Sequence, residues 1–538
     1  ADLKKINLAG SLSFGQKKPS ILSVSTLNGL INGIPLNGSL KITDFKNPTL
    51  SCRLDASVPC GLLVGMIFQN PDISGSGTIH FDNVRISGKP GNLSSINATG
   101  YIAAQNADIS LPGNKIKVSN TRISLENNLI SIPELRLTSS HSEMTVSGSI
   151  KGLAGFIFKS DPLVLESELV SRQADIPEIV SIYQSLTKNV NGSGTNGGSP
   201  ADVKGLFDVS LKNITYENVT FNEIKGLVHL NSNNLRMNLA GTAMSGQWET
   251  NANLRLSPAI VLDADLVSRN ADIKQCFTEF KNFGQKVIKE EHIRGELNSQ
   301  SIVHAEWAGD GSFLKNKLKI EAAMQINNGQ LVGFDLLNNF SKYIKSENLR
   351  HVQFESLQNY IAFEKNTFYL PSMFIKNNAL NLTVNGYHTM DNRIDYNIKV
   401  NAGEAILRKL NIEKRNGYAD ANNGAFNMFY NIHGTTDHFD YKRDKSYVIA
   451  SFTESTNRKN KIKRSLAAHF TTPVFNEETK MEIKPSGYET AIIDKTKTTE
   501  VGTTGTKKLF DFQQKKKNKW QSAIKEDQEE KIEYIEGF

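Results

Sequence analysis

The chain has 538 residues, more than one hydrophobic core usually fills, so several domains or one extended repeat array is expected. Only 38% of them are hydrophobic, too little apolar mass for a compact core but enough for a sheet with one wet face. The 62 basic and 55 acidic side chains leave a formal charge of +7, too mild to argue for a nucleic-acid partner, and no apolar run reaches the ~18 residues of a membrane-spanning helix.

From Ile6 to Leu54 the chain alternates apolar and polar residues in short runs, the period of strands with one apolar face. Asn28-Gly29, Asn32-Gly33 and Asn37-Gly38 each suit a hairpin turn. They stand too close together for all three to be turns, so some must lie within strands or at their ends. Val58 to Phe68 is apolar and reads as a short helix closing a repeat. Alternation resumes from Gly75 to Ile150, with Ile130/Ile132, Leu135/Leu137 and Met144/Val146 as its clearest pairs, and predicts an antiparallel meander.

An internal repeat follows. Leu169 to Ile176 reads LVSRQADI, and Leu266 to Ile273 reads LVSRNADI, an offset of 266 − 169 = 97 residues. Each copy follows an alternating run and precedes an apolar-periodic one. Asp175 and Asp272 are therefore placed as helix N-caps, with Pro177 in the first turn of its helix. The segment LSCRLDASVP, ending at Pro59, is read as a degenerate earlier copy. Asn189 to Ala201 is a Gly/Ser/Asn stretch expected to be a flexible loop. Phe207 to Asn253 is strand-rich.

Lys317 to Val400 has the strongest pattern. Leu318, Ile320, Ala322, Met324 and Ile326 alternate with polar or small residues, and Asn328-Gly329 reads as a tight turn. Phe334, Leu337, Phe340, Tyr343 and Ile344 share one helix face. Alternation then returns at Leu380, Leu382 and Val384, and at Ile394, Tyr396, Ile398 and Val400. The succession NNGQLVGFDLLNNF, VQFESLQNYIAF, LPSMFI and LTVNGYHTMDNRIDYNIKV, within Leu297 to Val400, resembles the C-terminal domain of the AsmA family. Most of the preceding chain resembles that family more loosely.

The resemblance implies a mainly β fold: an elongated, curved antiparallel sheet forming a repeating β-groove, with short amphipathic helices interspersed. Residues 1–296 would be the groove region, with its flexible loop near 189–201, and residues 297–450 the C-terminal β domain. It also implies a function without an enzymatic step. The protein would sit in the periplasm of a Gram-negative bacterium and assist outer-membrane assembly by guiding phospholipids along the groove. Its partners would be phospholipids, the inner membrane and outer-membrane assembly proteins. The family's N-terminal transmembrane anchor is expected to be missing from this sequence, which opens mid-strand at Ala1-Asp2-Leu3. Leu318, Ile320, Met324, Leu380, Leu382, Val384, Ile394, Tyr396 and Ile398 are the candidate groove residues.

Beyond Val400, Glu404 to Leu410 is expected to be a short helix and Phe426 to Val448 to add two strands. From Ser451 to Phe538 the period is lost and Lys, Glu and Thr dominate, so a charged, disordered tail dispensable for the fold is expected. Its basic cluster, Arg458, Lys459, Lys461, Lys463 and Arg464, is either a solvated stretch or a contact for anionic headgroups.

Chemical motifs are scarce. The chain has no GxxxxGK[ST], HExxH or GxSxG motif and no EF-hand loop. Its three cysteines form no CxxC pair, so a structural zinc site is not expected, and with motifs this scarce no other metal or cofactor is expected either. Cys52 shares a strand face with Leu50 and Leu54 and reads as a buried thiol. A Cys52–Cys60 disulfide would leave Cys276 alone. Asp391 and Asp395 flank a turn; as polar turn and outward-facing strand positions they need no catalytic role. The alternatives to a lipid groove are an ordinary sandwich whose apolar face is a closed core, a structural or adhesive β-repeat protein, and a polysaccharide-active enzyme on a β-solenoid.

Overall fold

The computed structural model describes residues 3–474 except 16–18, 32, 69, 91, 128, 153–161, 188–202, 257–258, 285, 287, 309–310, 334–349, 377–380, 402–426 and 472–473. Twenty-four strands, numbered β1 (Leu3–Ser13) to β24 (Phe439–Arg443) in chain order, belong to one sheet. The mainly β expectation is thus met, and among the described residues no second sheet lies on the first. Each strand pairs with its neighbours in sequence, with one exception. β7 (Asn114–Val118) and β8 (Thr121–Glu126) lie end to end between β6 (Asn92–Leu111) and β9 (Leu129–Thr138). Pairing is antiparallel throughout, save for β11 (Leu163–Asp175) and β12 (Val203–Tyr216), which run parallel. A parallel step needs a crossover connection, and residues 176–202 supply it.

Three helices follow strand ends. α1 (Cys60–Phe68) leaves β4 (Thr49–Pro59), α2 (Ile176–Thr187) leaves β11, and α3 (Ile273–Glu279) leaves β16 (Ile260–Asp272). The repeat's aspartates cap as expected. Asp272 Oδ1 accepts from Gln275 N at 2.8 Å, and Asp175 Oδ1 from Glu178 N at 2.8 Å. All three helices stand on the same rim of the sheet. Six antiparallel steps separate β4 from β11, because β7 and β8 share a position, so the two strands point the same way. Five steps separate β11 from β16, and five antiparallel steps would have reversed the direction. The single parallel step restores it.

Each helix folds back onto the apolar face of the sheet. Cys60 and Val64 of α1 pack with Ala107 and Leu111. Ile179 of α2 packs with Ala174, Ile214 and Ile224. Ile273 and Phe277 of α3 pack with Ile326, Leu357 and Met373. A fourth helix, α4 (Lys445–His469), lies on the opposite face.

Several expectations are corrected. The tail does not begin at Ser451: α4 runs through that point, and Phe470 and Val474 beyond it are also buried. Val448, Ile462 and Leu466 are the apolar anchors that the charged composition concealed. Residues 475–538, the remainder of the expected tail, lie outside the described residues. Asn328-Gly329 is not a turn. β18 (Lys319–Val332) runs through it, with Asn328 at φ 51° forming a bulge and Gly329 lying against the Phe354 ring, where a β-carbon would collide. Of the three N-terminal Asn-Gly pairs, Asn28-Gly29 and Asn37-Gly38 lie inside strands, and Gly33, at φ 80°, sits in the turn. The expected division at 296/297 falls within β17 (Ile293–Trp307), which is paired on both sides, and residues 1–485 form one unit. All three cysteines are free, and Cys52 is half-buried. The two strands expected after Phe426 are β23 (Asn427–Thr435) and β24. The expected loop at 189–201 and the helices at 334–344 and 404–410 lie outside the described residues.

Candidate functional site: a continuous apolar face

Cross-strand register decides what an alternating sheet can do, because directly paired residues share a face. Here the pairing lines up apolar side chains strand after strand. Leu125, Ile130, Ile150, Leu165, Gly205, Leu230, Leu235, Leu254, Leu262 and Ala305 are successive partners from β8 to β17. A parallel row runs through Phe207, Val228, Met237, Ala252, Ala264, Val303, Ile320, Phe363, Phe368, His388 and Ile394. Upstream, Leu8, Leu27, Gly38, Leu54 and Val84 continue the face from β1. Twenty-three strand positions at roughly 4.8 Å each make a path of about 105 Å along the sheet.

Burial along this face is uneven. Leu235, Met237 and Leu239 are half-buried, while Arg236, Asn238 and Ala240 on the other face are exposed. Toward the C-terminus the same face tightens. Leu382, 9% exposed, clusters with Val352 and Val400, and Ile394 is 4% exposed. The helical rim also reaches the opposite rim at two places. Gln184 of α2 touches the position of Gly311, in the turn after β17. Gly284, just beyond α3, touches Met390, in the turn after β21 (Leu382–Thr389). The apolar face is therefore bridged at those points.

Of the nine candidate residues, Ile320, Met324, Leu382, Val384, Ile394, Tyr396 and Ile398 share this face. Leu318 is half-buried and precedes the strand, which starts at Lys319. Leu380 lies outside the described residues. His388, which the sequence places in a strand and gives no role beyond that of a satisfied surface or core histidine, sits in the apolar row. Its ring stacks on Phe368 with centroids 4.9 Å apart, and its Nδ1 is 2.7 Å from the Tyr396 hydroxyl oxygen. Burial lowers the His388 pKa to about 4, so the ring is neutral near pH 7, and burial raises that of Tyr396.

The opposite face carries polar rows. Asn385, Asn397 and Asn431 are direct partners, and Asn431 Nδ2 donates to Asn397 Oδ1 at 3.0 Å and to Asp395 Oδ1 at 2.9 Å. Asp395 also accepts from the Tyr447 hydroxyl at 3.1 Å, so it serves to dock α4. Asp391 pairs with Arg393 at 3.1 Å. The basic cluster divides between two surroundings. Arg458 lies 3.7 Å from the Tyr369 ring centroid and 3.1 Å from Glu364, and Lys459 Nζ donates to the Ser372 carbonyl at 3.1 Å. Lys461, Lys463 and Arg464 are exposed.

Two surface hollows, of about 460 and 220 Å³, lie beside β8, and their walls are mainly polar, including Arg122, Glu134 and Arg136 in one and Arg85 and Glu126 in the other. Neither follows the apolar rows. Among the described residues no three His, Cys, Asp or Glu side chains converge as metal ligands, and no helix is long and apolar enough to cross a membrane. Comparison with known proteins finds no matching family model, no matching curated protein and no matching solved structure.

Proposed function

We propose that the apolar face binds the acyl chains of phospholipids and guides them along the direction of the strand ladder, the role implied by the resemblance to the AsmA family. The supporting observation is the register, which keeps apolar residues adjacent from strand to strand where a one-residue slip would break the row. Each methylene laid on such a surface gains about 0.8 kcal/mol. Partial burial in the middle of the sheet leaves area for that gain, and there Arg236, Asn238 and Ala240 on the opposite face stay in water. On this reading the protein is a carrier with no catalytic step. It works in the periplasm, held at the inner membrane by an N-terminal anchor, and serves outer-membrane assembly.

Mass spectrometry of organic extracts from the purified protein tests the reading. Phospholipid should co-purify in at least equimolar amount. Extracts free of lipid, together with no uptake from phospholipid vesicles, would overturn it and favour a structural or adhesive sheet.

A further inference from the structure

We propose that the His388–Tyr396 pair is a hydrogen-bond donor site for a neutral carbonyl oxygen, the ester carbonyl of a glycerolipid acyl chain lying on the apolar face. The inference rests on the lipid-binding reading above and adds the chemical class of the ligand. His388 interrupts a row whose nearest members, Phe363, Phe368 and Ile394, are hydrocarbon. Its side chain is 7% exposed, and the Tyr396 hydroxyl is its only hydrogen-bond partner among the described residues. Tyr396 likewise has no other.

A proton count follows. If the Tyr396 O–H donates to His388 Nδ1, the proton on Nε2 has no acceptor. If instead Nδ1–H donates to the phenol oxygen, the Tyr396 O–H has none. Either tautomer leaves one donor without a protein partner among the described residues, free to meet an acceptor that a ligand brings to the apolar face. The ring is neutral near pH 7, so the site offers no cation, and a phosphate brought there would carry an unpaired charge into a poorly solvated region. An ester carbonyl is a neutral acceptor, and it arrives already joined to an acyl chain that the flanking row can hold.

The test compares a diacyl phosphatidylcholine with its dialkyl ether counterpart, matched in headgroup and chain length, for binding from vesicles to the full chain and to His388→Phe. The parent should bind the ester about five-fold more tightly than the ether, the worth of one neutral hydrogen bond. His388→Phe should bind both alike. Equal binding of ester and ether by the parent would overturn the donor site while leaving the lipid-binding face intact. Binding of neither would overturn both. A preference that survives in His388→Phe would also remove the assignment to this pair. The ratio in the parent requires no variant, so a poorly folded His388→Phe would not blunt the test.

Discussion

At the scale of single residues, His388 links packing to pH. The unfolded chain takes up a proton on this ring near pH 6.5, whereas the folded protein refuses it until about pH 4. Between those values the unfolded state binds more protons, so stability rises with pH. The contribution is complete above about pH 6.5, is lost as pH falls toward 4, and then levels off. Across the whole window it amounts to about 3 kcal/mol at most. Urea denaturation near pH 7 and near pH 5 should show the parent losing about 2 kcal/mol more than His388→Phe over that interval. Equal losses in the two proteins would mean that the ring is solvated. The neighbouring Tyr396 could be read from alternation as facing the same side as Ile394 and Ile398. Its partnership with His388 could not, because the two meet across a strand pair rather than along the chain.

At the scale of elements, α4 is the most instructive. Its sheet-facing positions, Val448, Ser451, Ser455, Lys459, Ile462 and Leu466, recur every three or four residues, as a helix face requires. Half of them are polar, so the period is invisible to a reading based on hydropathy. Those polar members bond to the sheet: Ser451 with Asn385, Ser455 with the Ser372 amide, and Lys459 with the Ser372 carbonyl. The apolar anchors are almost fully buried, Val448 at 0% and Ile462 at 1%. Near its far end, His469 Nδ1 lies 2.8 Å from Asp265 Oδ1. Truncation after Arg443 should therefore cost about 8 kcal/mol relative to truncation after Val474, from the burial of five apolar side chains, Val448, Ile462, Leu466, Phe470 and Val474. Chemical denaturation of the two truncated chains measures the difference. Coincident midpoints would show that α4 adds nothing to the sheet.

At the scale of the whole sheet, the same apolar face is half-open in one stretch and closed in another, and this makes a graded prediction. Met237 is half-buried in the middle of the face, whereas Leu382 is packed against Val352 and Val400. Met237→Asp should leave the protein folded, since water reaches the new carboxylate, but should reduce co-purified phospholipid. Leu382→Asp buries an unpaired charge and should destabilise the sheet by several kcal/mol. Asn238→Asp, on the exposed face, should change neither property. Melting temperature and lipid content, measured together for all three, separate the cases. Unfolding by Met237→Asp would mean that the middle of the face is closed core, and unchanged lipid content would place the ligand elsewhere.

The sequence by itself determined what local patterns encode. Period-2 alternation announced the strands and the one-sided sheet. The 97-residue repeat announced helices capped by Asp175 and Asp272, and the alternating sets around Ile320, Val384 and Ile398 marked residues that do share a face. Only the tertiary structure decided the rest, because it depends on which distant segments pair. A positive φ at Asn328 suits a turn and a bulge equally, and the partner strands on both sides select the bulge. The parallel step between β11 and β12, which sets α2 and α3 on one rim, has no local signature. The docking of α4 rests on hydrogen bonds and a few buried side chains whose partners lie scores of residues away. The contacts of Gln184 with Gly311 and of Gly284 with Met390 exist only once every intervening strand is in register.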